Sequence, residues 1–298
     1  MAFPITHILF PTDFSKNAEH ALSFAAEIAS RNGARVTLYH ASQDTMDLAP
    51  NFEASKDDTI QDANEHFDQL IKGLHKKKKY KDLEFATLLQ SGQPVTSLLN
   101  YINEEKPDLI VMGTKGATSN RNAIFGSVTT NVIQKSEIPM LAIPQGSSID
   151  KLKNIVFTTD YKEGDIAALK QTIELAKLFD STIQVVHIAK QKDIESEIKF
   201  RGFRDLITSK LKYENMTFHL KYERDFFPGI ADYIMEHPTS LLVMVRYKKT
   251  FWEKLAERDH SKEMAFYSNV PLLMLIGKEQ VESPLITKDA REEQNANY

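Results

Sequence analysis

The stretch Leu109-Ile110-Val111-Met112-Gly113-Thr114-Lys115-Gly116, followed after nine residues by Gly126-Ser127, decides how this chain folds. Four apolar residues in a row read as a short buried strand. Gly113 and Gly116 end that strand in a loop, and Val128-Thr129-Thr130-Asn131-Val132-Ile133 starts a helix beyond Gly126. Strand, glycine loop and helix start together suit an anion. Glycines let the backbone come close, and the N–H groups and dipole at a helix N-terminus point at negative charge. The pattern occurs once, although the elements around it occur twice.

The duplication is direct. Residues 8–40 match residues 155–187 without a gap, at an offset of 147. Ile8-Leu9-Phe10-Pro11-Thr12-Asp13-Phe14 lies against Ile155-Val156-Phe157-Thr158-Thr159-Asp160-Tyr161, and Val36-Thr37-Leu38-Tyr39-His40 against Ile183-Gln184-Val185-Val186-His187. Later in each half the offset falls to 132: Leu109-Ile110-Val111-Met112 lies against Leu241-Leu242-Val243-Met244, and Ile138-Pro139 against Val270-Pro271. The second half is therefore about fifteen residues shorter in its middle. A repeat of this length is a duplicated domain, not a solenoid unit. The expected division is 1–146, 151–277 and a polar tail at 278–298 that lacks periodicity.

Within each half, strands alternate with helices. The first half predicts strands at 8–11, 36–41, 83–89, 109–112 and 140–143. Between them lie a helix capped by Ser15 and stopped at Gly33, with Ala18, Ala21, Leu22, Ala25, Ile28 and Ala29 on its apolar face, a long helix marked by Ile60, Ala63, Phe67, Leu70, Ile71 and Leu74, and a helix carrying Val95, Leu98, Leu99 and Ile102. The second half predicts strands at 154–158, 182–188, 216–222, 241–245 and 272–276, with helices between them, one near 261–268. Short apolar strands alternating with helices imply an α/β fold: two tandem, doubly wound, parallel five-stranded sheets with flanking helices.

Composition narrows the functional classes. The chain has 298 residues, a net charge of −4 and no cysteine. The charge argues against a nucleic-acid partner, and the missing thiols exclude disulfides, thiol catalysis and Cys-based zinc sites. No apolar run reaches the roughly 20 residues of a membrane span. With no basic leader ahead of Ile8, the expected compartment is the cytoplasm.

In these residues the chain resembles the universal stress protein family in its tandem form. Nucleotide-binding members carry Gly-x2-Gly-x9-Gly-Ser/Thr, which Gly113, Gly116, Gly126 and Ser127 fit, and open with a strand ending in an acidic residue, as Pro11-Thr12-Asp13 does. The resemblance implies a Rossmann-like domain of the adenine nucleotide alpha hydrolase type, binding ATP, with magnesium accompanying the phosphates, and acting in stress response. It places Pro11, Thr12, Asp13 and Ala41 around adenine and ribose, and Met112 and Gly113 beside ribose and phosphates. Gly116, Gly126, Ser127, Val128 and Thr129 would hold the phosphates. It also implies that the two halves pack as pseudo-dimer partners through their final strands, that two chains form a homodimer, and that an unidentified protein partner exists.

Several residues have a second reading. Asp13 is either an acceptor for sugar or base or a cap for the following helix turn, since Asp160 persists where the glycines do not. His40 and His187 correspond and read as scaffold residues. The run Lys76–Lys79 reads as a solvated helix end. Lys115 and Arg121 lie in the glycine loop and either screen phosphate or face water. In the second half Gly113, Gly116, Gly126 and Ser127 become Val245, Lys248, Arg258 and Asp259, so that half is expected not to bind ATP, with Arg258 a candidate to fill the vacated site. The Phe251-Trp252 pair in the replaced loop packs either on a partner or within its own domain. No Walker, dinucleotide or His-Glu-x-x-His motif calls for catalysis. The alternatives are a nucleotide-independent interaction module and a slow ATPase.

Overall fold

The computed structural model describes residues 5–42, 56–116, 125–149, 152–247 and 269–277. The first half contains β1 (His7–Pro11), α1 (Lys16–Asn32), β2 (Arg35–Ser42), α2 (Lys56–His75), β3 (Phe85–Ser91), α3 (Pro94–Glu105), β4 (Leu109–Gly113), α4 (Ser127–Lys135) and β5 (Met140–Ile143). The second contains β6 (Asn154–Thr158), α5 (Glu163–Phe179), β7 (Thr182–Ala189), α6 (Ile194–Lys210), β8 (Met216–Tyr222), α7 (Phe226–Glu236), β9 (Leu241–Arg246) and β10 (Leu272–Ile276). The expected helix near 261–268, the Phe251-Trp252 pair and the polar tail lie outside the described residues.

Local chemistry sets the element ends. Ser15 accepts the Ala18 N–H at the start of α1, and Gly33 closes the helix with φ 67°. All six apolar positions expected on α1 are buried. On α2, Ala63, Phe67 and Leu74 are buried, whereas Ile60 stays exposed. β3 starts two residues later than its apolar run suggests. Leu83 is held in a turn, its N–H donating to Tyr80 O at 3.2 Å, and pairing with β2 from Val36↔Phe85 to Ser42↔Ser91 extends the strand to Ser91.

The sheet is ten-stranded, in the order β3-β2-β1-β4-β5-β10-β9-β6-β7-β8. Each half is parallel, and the chain reverses direction across the sheet between β1 and β4 in the first half and between β6 and β9 in the second. One apolar layer includes Phe24, Phe67, Leu169 and Phe203; the opposite layer includes Leu98, Ile102, Val132 and Ile230. The halves meet edge to edge through the antiparallel pair β5–β10. Its register is self-complementary. Leu141 faces Leu273, its own counterpart at the 132 offset, while Ala142 faces Leu272 and Met140 faces Met274. Exchange of i and j about a central like pair is the signature of a two-fold interface, here within one chain. Helices add to the seam: Arg31 of α1 donates to Leu178 O of α5, its counterpart at the 147 offset, and its guanidinium lies 4.5 Å from the centre of the Phe179 ring.

Glu27 of α1 is 4% exposed, and its charge is held by three donors. Lys79 Nζ lies 2.6 Å and Tyr80 Oη 2.7 Å from Oε2, and Arg31 Nε donates to Oε1 at 2.8 Å. Part of the lysine run is thus an ion-pair donor rather than only a solvated end. Burial raises the Glu27 pKa, but the hydrogen bonds from Lys79, Tyr80 and Arg31 outweigh it and bring the value down to about 2. A depressed carboxyl pKa contributes stability that is fully present above the unfolded value and is lost as pH falls through the folded one. Wild-type protein should therefore lose this contribution between about pH 4.5 and about pH 2. Glu27→Gln should lower stability at neutral pH and flatten its fall across that window, as measured by urea unfolding at a series of pH values.

Candidate functional site

β1, β2 and β4 end side by side, and a cleft of about 230 Å³ opens beyond their carboxyl ends. This is where ligands enter an open parallel sheet, at the point where strand order reverses. All eleven positions picked out in the sequence line it: Pro11, Thr12, Asp13, Ala41, Met112, Gly113, Gly116, Gly126, Ser127, Val128 and Thr129. Tyr39, His40, Pro94, Leu98 and Lys115 join them. Lys115 therefore faces the cleft, while Arg121 lies outside the described residues.

The loop after β4 is tied down at both ends. Thr114 N donates to Ile143 O at 2.9 Å, and Gly126 N donates back to Thr114 O at 2.7 Å. Asn17 Nδ2 donates to Lys115 O at 2.6 Å, pinning the loop to the start of α1. Gly113 is needed for that clamp, because a Cβ there would lie 2.8 Å from Asn17 Nδ2. Thr129 Oγ1 donates to Gly113 O at 3.0 Å. The Thr129 hydroxyl, expected to be free for a phosphate, is thus committed to the backbone. The N-cap of α4 is Gly126, which has no side chain to cap with, and the first turn closes with Thr130 N donating to Gly126 O at 2.9 Å. The N–H groups of Ser127, Val128 and Thr129 precede that bond and face the cleft end of the helix.

The opposite wall is a strained turn. Phe14 adopts φ 59°, a left-handed conformation uncommon for a bulky side chain. Its N–H donates to Thr12 Oγ1 at 3.0 Å, and its ring packs on His40 and Phe67 at centroid distances of 4.6 and 5.1 Å. His40 Nδ1–H donates to Thr12 O at 2.8 Å, so the ring is a scaffold element that also lines the cleft. Asp13 Oδ1 accepts Ser15 N at 3.1 Å. Its capping role holds, and the exposed carboxylate still borders the cleft. The second half repeats the turn: Tyr161 has φ 60°, its N–H donates to Thr159 Oγ1, and its ring stacks on His187 at 4.0 Å. The shared Thr-Asp-aromatic triplet was the sequence signal for this turn.

Comparison with known proteins agrees with the fold. The universal stress protein family model matches residues 4–144. The universal stress protein in QAH/OAS sulfhydrylase 3'region of Thermus aquaticus is 30% identical over 140 residues, which is 46% of this chain and 96% of that protein. This chain belongs to the universal stress protein family. Universal stress protein MJ0577 of Methanocaldococcus jannaschii is 28% identical over 155 residues, 47% of this chain and 96% of its own length. A solved universal stress protein from Archaeoglobus fulgidus, 16% identical, superposes with a TM-score of 0.73 over 93% of this chain and 98% of its own, which extends the likeness of fold across both halves.

The second half of this universal stress protein has a cleft of about 410 Å³ at the corresponding strand ends, walled by different side chains. Val245 stands in place of Gly113, and Tyr247 in place of Lys115. Tyr247 turns inward, its hydroxyl donating to Asp165 Oδ1 and its ring 4.2 Å from Lys162 Nζ. Two glycines make room for it. A Cβ on Gly164, the counterpart of Asn17, would lie 2.8 Å from the Tyr247 ring, and one on Gly277 would lie 2.3 Å away. Asp165 is 1% exposed and also accepts from Thr159 Oγ1 at 2.6 Å, Asp160 N at 3.0 Å and Lys162 N at 3.1 Å. The carboxylate that caps this turn is therefore Asp165, not Asp160. Lys248, Arg258 and Asp259 lie outside the described residues, and Tyr247 lines this cleft. Among the described residues, no group of three or more His, Asp or Glu is placed to hold a metal ion, and no helix is long and apolar enough to cross a membrane.

Gly164→Ala should destabilise the protein by about 1–3 kcal/mol through overpacking against Tyr247. In a Tyr247→Ala background the same substitution should cost little, since alanine suits a helix better than glycine. Urea unfolding of the four proteins in this cycle measures the coupling, and equal costs in both backgrounds would refute the packing of Tyr247 against Gly164.

Proposed function

We propose that this universal stress protein binds ATP in the first-half cleft and uses it to bias conformation or association in a stress response, without a catalytic group of its own. The division is into a nucleotide-binding domain at 1–146 and a degenerate domain at 151–277. The observation that carries this reading is the convergence of the glycine loop, the start of α4 and the ends of β1 and β2 on one cleft. The glycines allow close backbone approach, and the three leading N–H groups of α4 supply donors where the helix dipole is positive. Pro11, Ala41, Met112 and Leu98 offer apolar surface for a base, and Asp13 offers an acceptor to a ribose hydroxyl. The exposed Ser127 hydroxyl and Lys115 are the further groups suited to phosphate oxygens.

The donor set fits the nucleotide better than it fits a protein-held cation. Among the described residues, Asp13 is the single carboxylate on the cleft wall. Magnesium would then be held chiefly by phosphate oxygens and water, as small, reluctantly dehydrated cations are. When bound, it would offset phosphate charge. In the second half, Asp160, Asp165 and Glu223 put carboxylates on the cleft wall and Val245 replaces Gly113, which supports one site per chain. A homodimer, with a protein partner that reads the nucleotide state, is part of the same proposal.

Denaturing the purified protein and quantifying released nucleotides should give about one ATP per chain. Gly126→Arg should abolish retention and ATP titration while leaving the circular dichroism spectrum unchanged. Two nucleotides per chain would overturn the single-site reading, and a protein that neither retains nor titrates ATP would overturn nucleotide binding itself. A turnover assay with magnesium should give no product above background.

A further inference from the structure

The residue before Tyr247 makes an unusual contact. Arg246, at the end of β9 in the second half, is 5% exposed, and its guanidinium crosses the seam into the first half. There one nitrogen donates to Gln134 O and another to Ser136 O. Gln134 lies in the last turn of α4, and Ser136 is that helix's C-cap. Carbonyls at a helix C-terminus have no partner within the helix, and their aligned dipoles make that end negative. A buried guanidinium satisfies both deficits, and burial away from water holds it in place, since a charge in such a site is costly unless every donor finds an acceptor. Burial lowers the Arg246 pKa, a direction opposed by the nearby Glu137 carboxylate.

α4 is the helix whose other end faces the first-half cleft. It is short, running from Ser127 to Lys135, and its N-cap, Gly126, has no side chain to offer. Thr129 ties its first turn to Gly113 O, and Arg246 ties its last turn to the second half. We propose that Arg246 is a positioning residue for the first-half cleft: the degenerate half holds the anion-facing helix of the other half in place by capping its C-terminus across the seam. The inference rests on the ATP-binding reading for its functional consequence, and on geometry alone for its mechanical part. It assigns the second half a job that does not require a ligand of its own.

Arg246→Met removes both donations while keeping an apolar stem, and Arg246→Lys keeps the charge but must draw both donations from one nitrogen in place of the fixed fork of the guanidinium. The control is Arg31→Met, which cuts a different seam contact, to Leu178 O, away from α4. Amide hydrogen exchange on the ligand-free full chain should show the α4 amides of R246M exchanging about tenfold faster or more, with β2 and β3 unchanged. ATP affinity by titration should fall about tenfold in R246M, less in R246K, and not at all in R31M. If R246M does not fold, R246K carries the same two readouts. Wild-type exchange at α4 in R246M or, failing that, in R246K would overturn the proposal. An equal loss of ATP affinity in R31M would also overturn it, because the effect would then be general loosening of the seam. If wild-type protein does not bind ATP, the function proposed above fails, and the exchange measurement still decides whether Arg246 holds α4.

Discussion

The architecture depends on one antiparallel strand pair. β5 and β10 are each the last strand of a five-stranded parallel sheet, and each would otherwise present an open edge of unpaired N–H and C=O groups. Pairing them removes both edges at once and fixes the relation of the halves about the Leu141–Leu273 contact. The same two-fold arrangement brings Arg31 onto its own counterpart Leu178 and lets Arg246 reach the end of α4. A seam built this way resembles a homodimer interface written into one chain. Once both halves are encoded together, each is free to change without the other.

That freedom is visible in how the two clefts diverge around a shared turn. Both halves keep the left-handed aromatic, Phe14 or Tyr161, with its threonine hydroxyl bond and its strand-end histidine. A bulky residue with positive φ costs about 1–3 kcal/mol, so its retention in both halves marks it as a structural corner rather than a ligand device. What differs is on the facing wall. In the first half Asn17 clamps the loop and Gly113 leaves room for the clamp. In the second half glycine replaces Asn17, tyrosine replaces Lys115, and the phenol is anchored on Asp165. The exchange of which position is glycine rebuilds the cleft wall around Tyr247 and Asp165 without closing the cleft.

Much of this was legible in the residues themselves. The offset between the halves, the strand–helix alternation and the glycine spacing gave the element order, and the eleven positions named for the first cleft all line it. Other contacts were not legible there. Thr129 is named among the phosphate-holding positions, and the turn of α4 places its hydroxyl on Gly113 O. In the second half Asp165, five residues beyond Asp160, is buried beneath the turn and accepts its N–H groups. The lysine run gave no hint of Glu27, because the partners are 52 residues apart in sequence.

What the sequence determined by itself is periodic and local: the duplication, the class of fold, the caps at Ser15 and Gly33, and the glycine loop between β4 and α4. These follow from side-chain spacing and backbone freedom, which act within a few residues. Only the tertiary structure decided which groups meet across the sheet: Asn17 with the glycine loop, Tyr247 with Asp165, and Arg246 with the end of α4. Those meetings join residues 82 to 112 positions apart. They are set by strand order and by the antiparallel seam, because hydrogen-bond geometry acts over a few ångströms of space and is indifferent to distance along the chain.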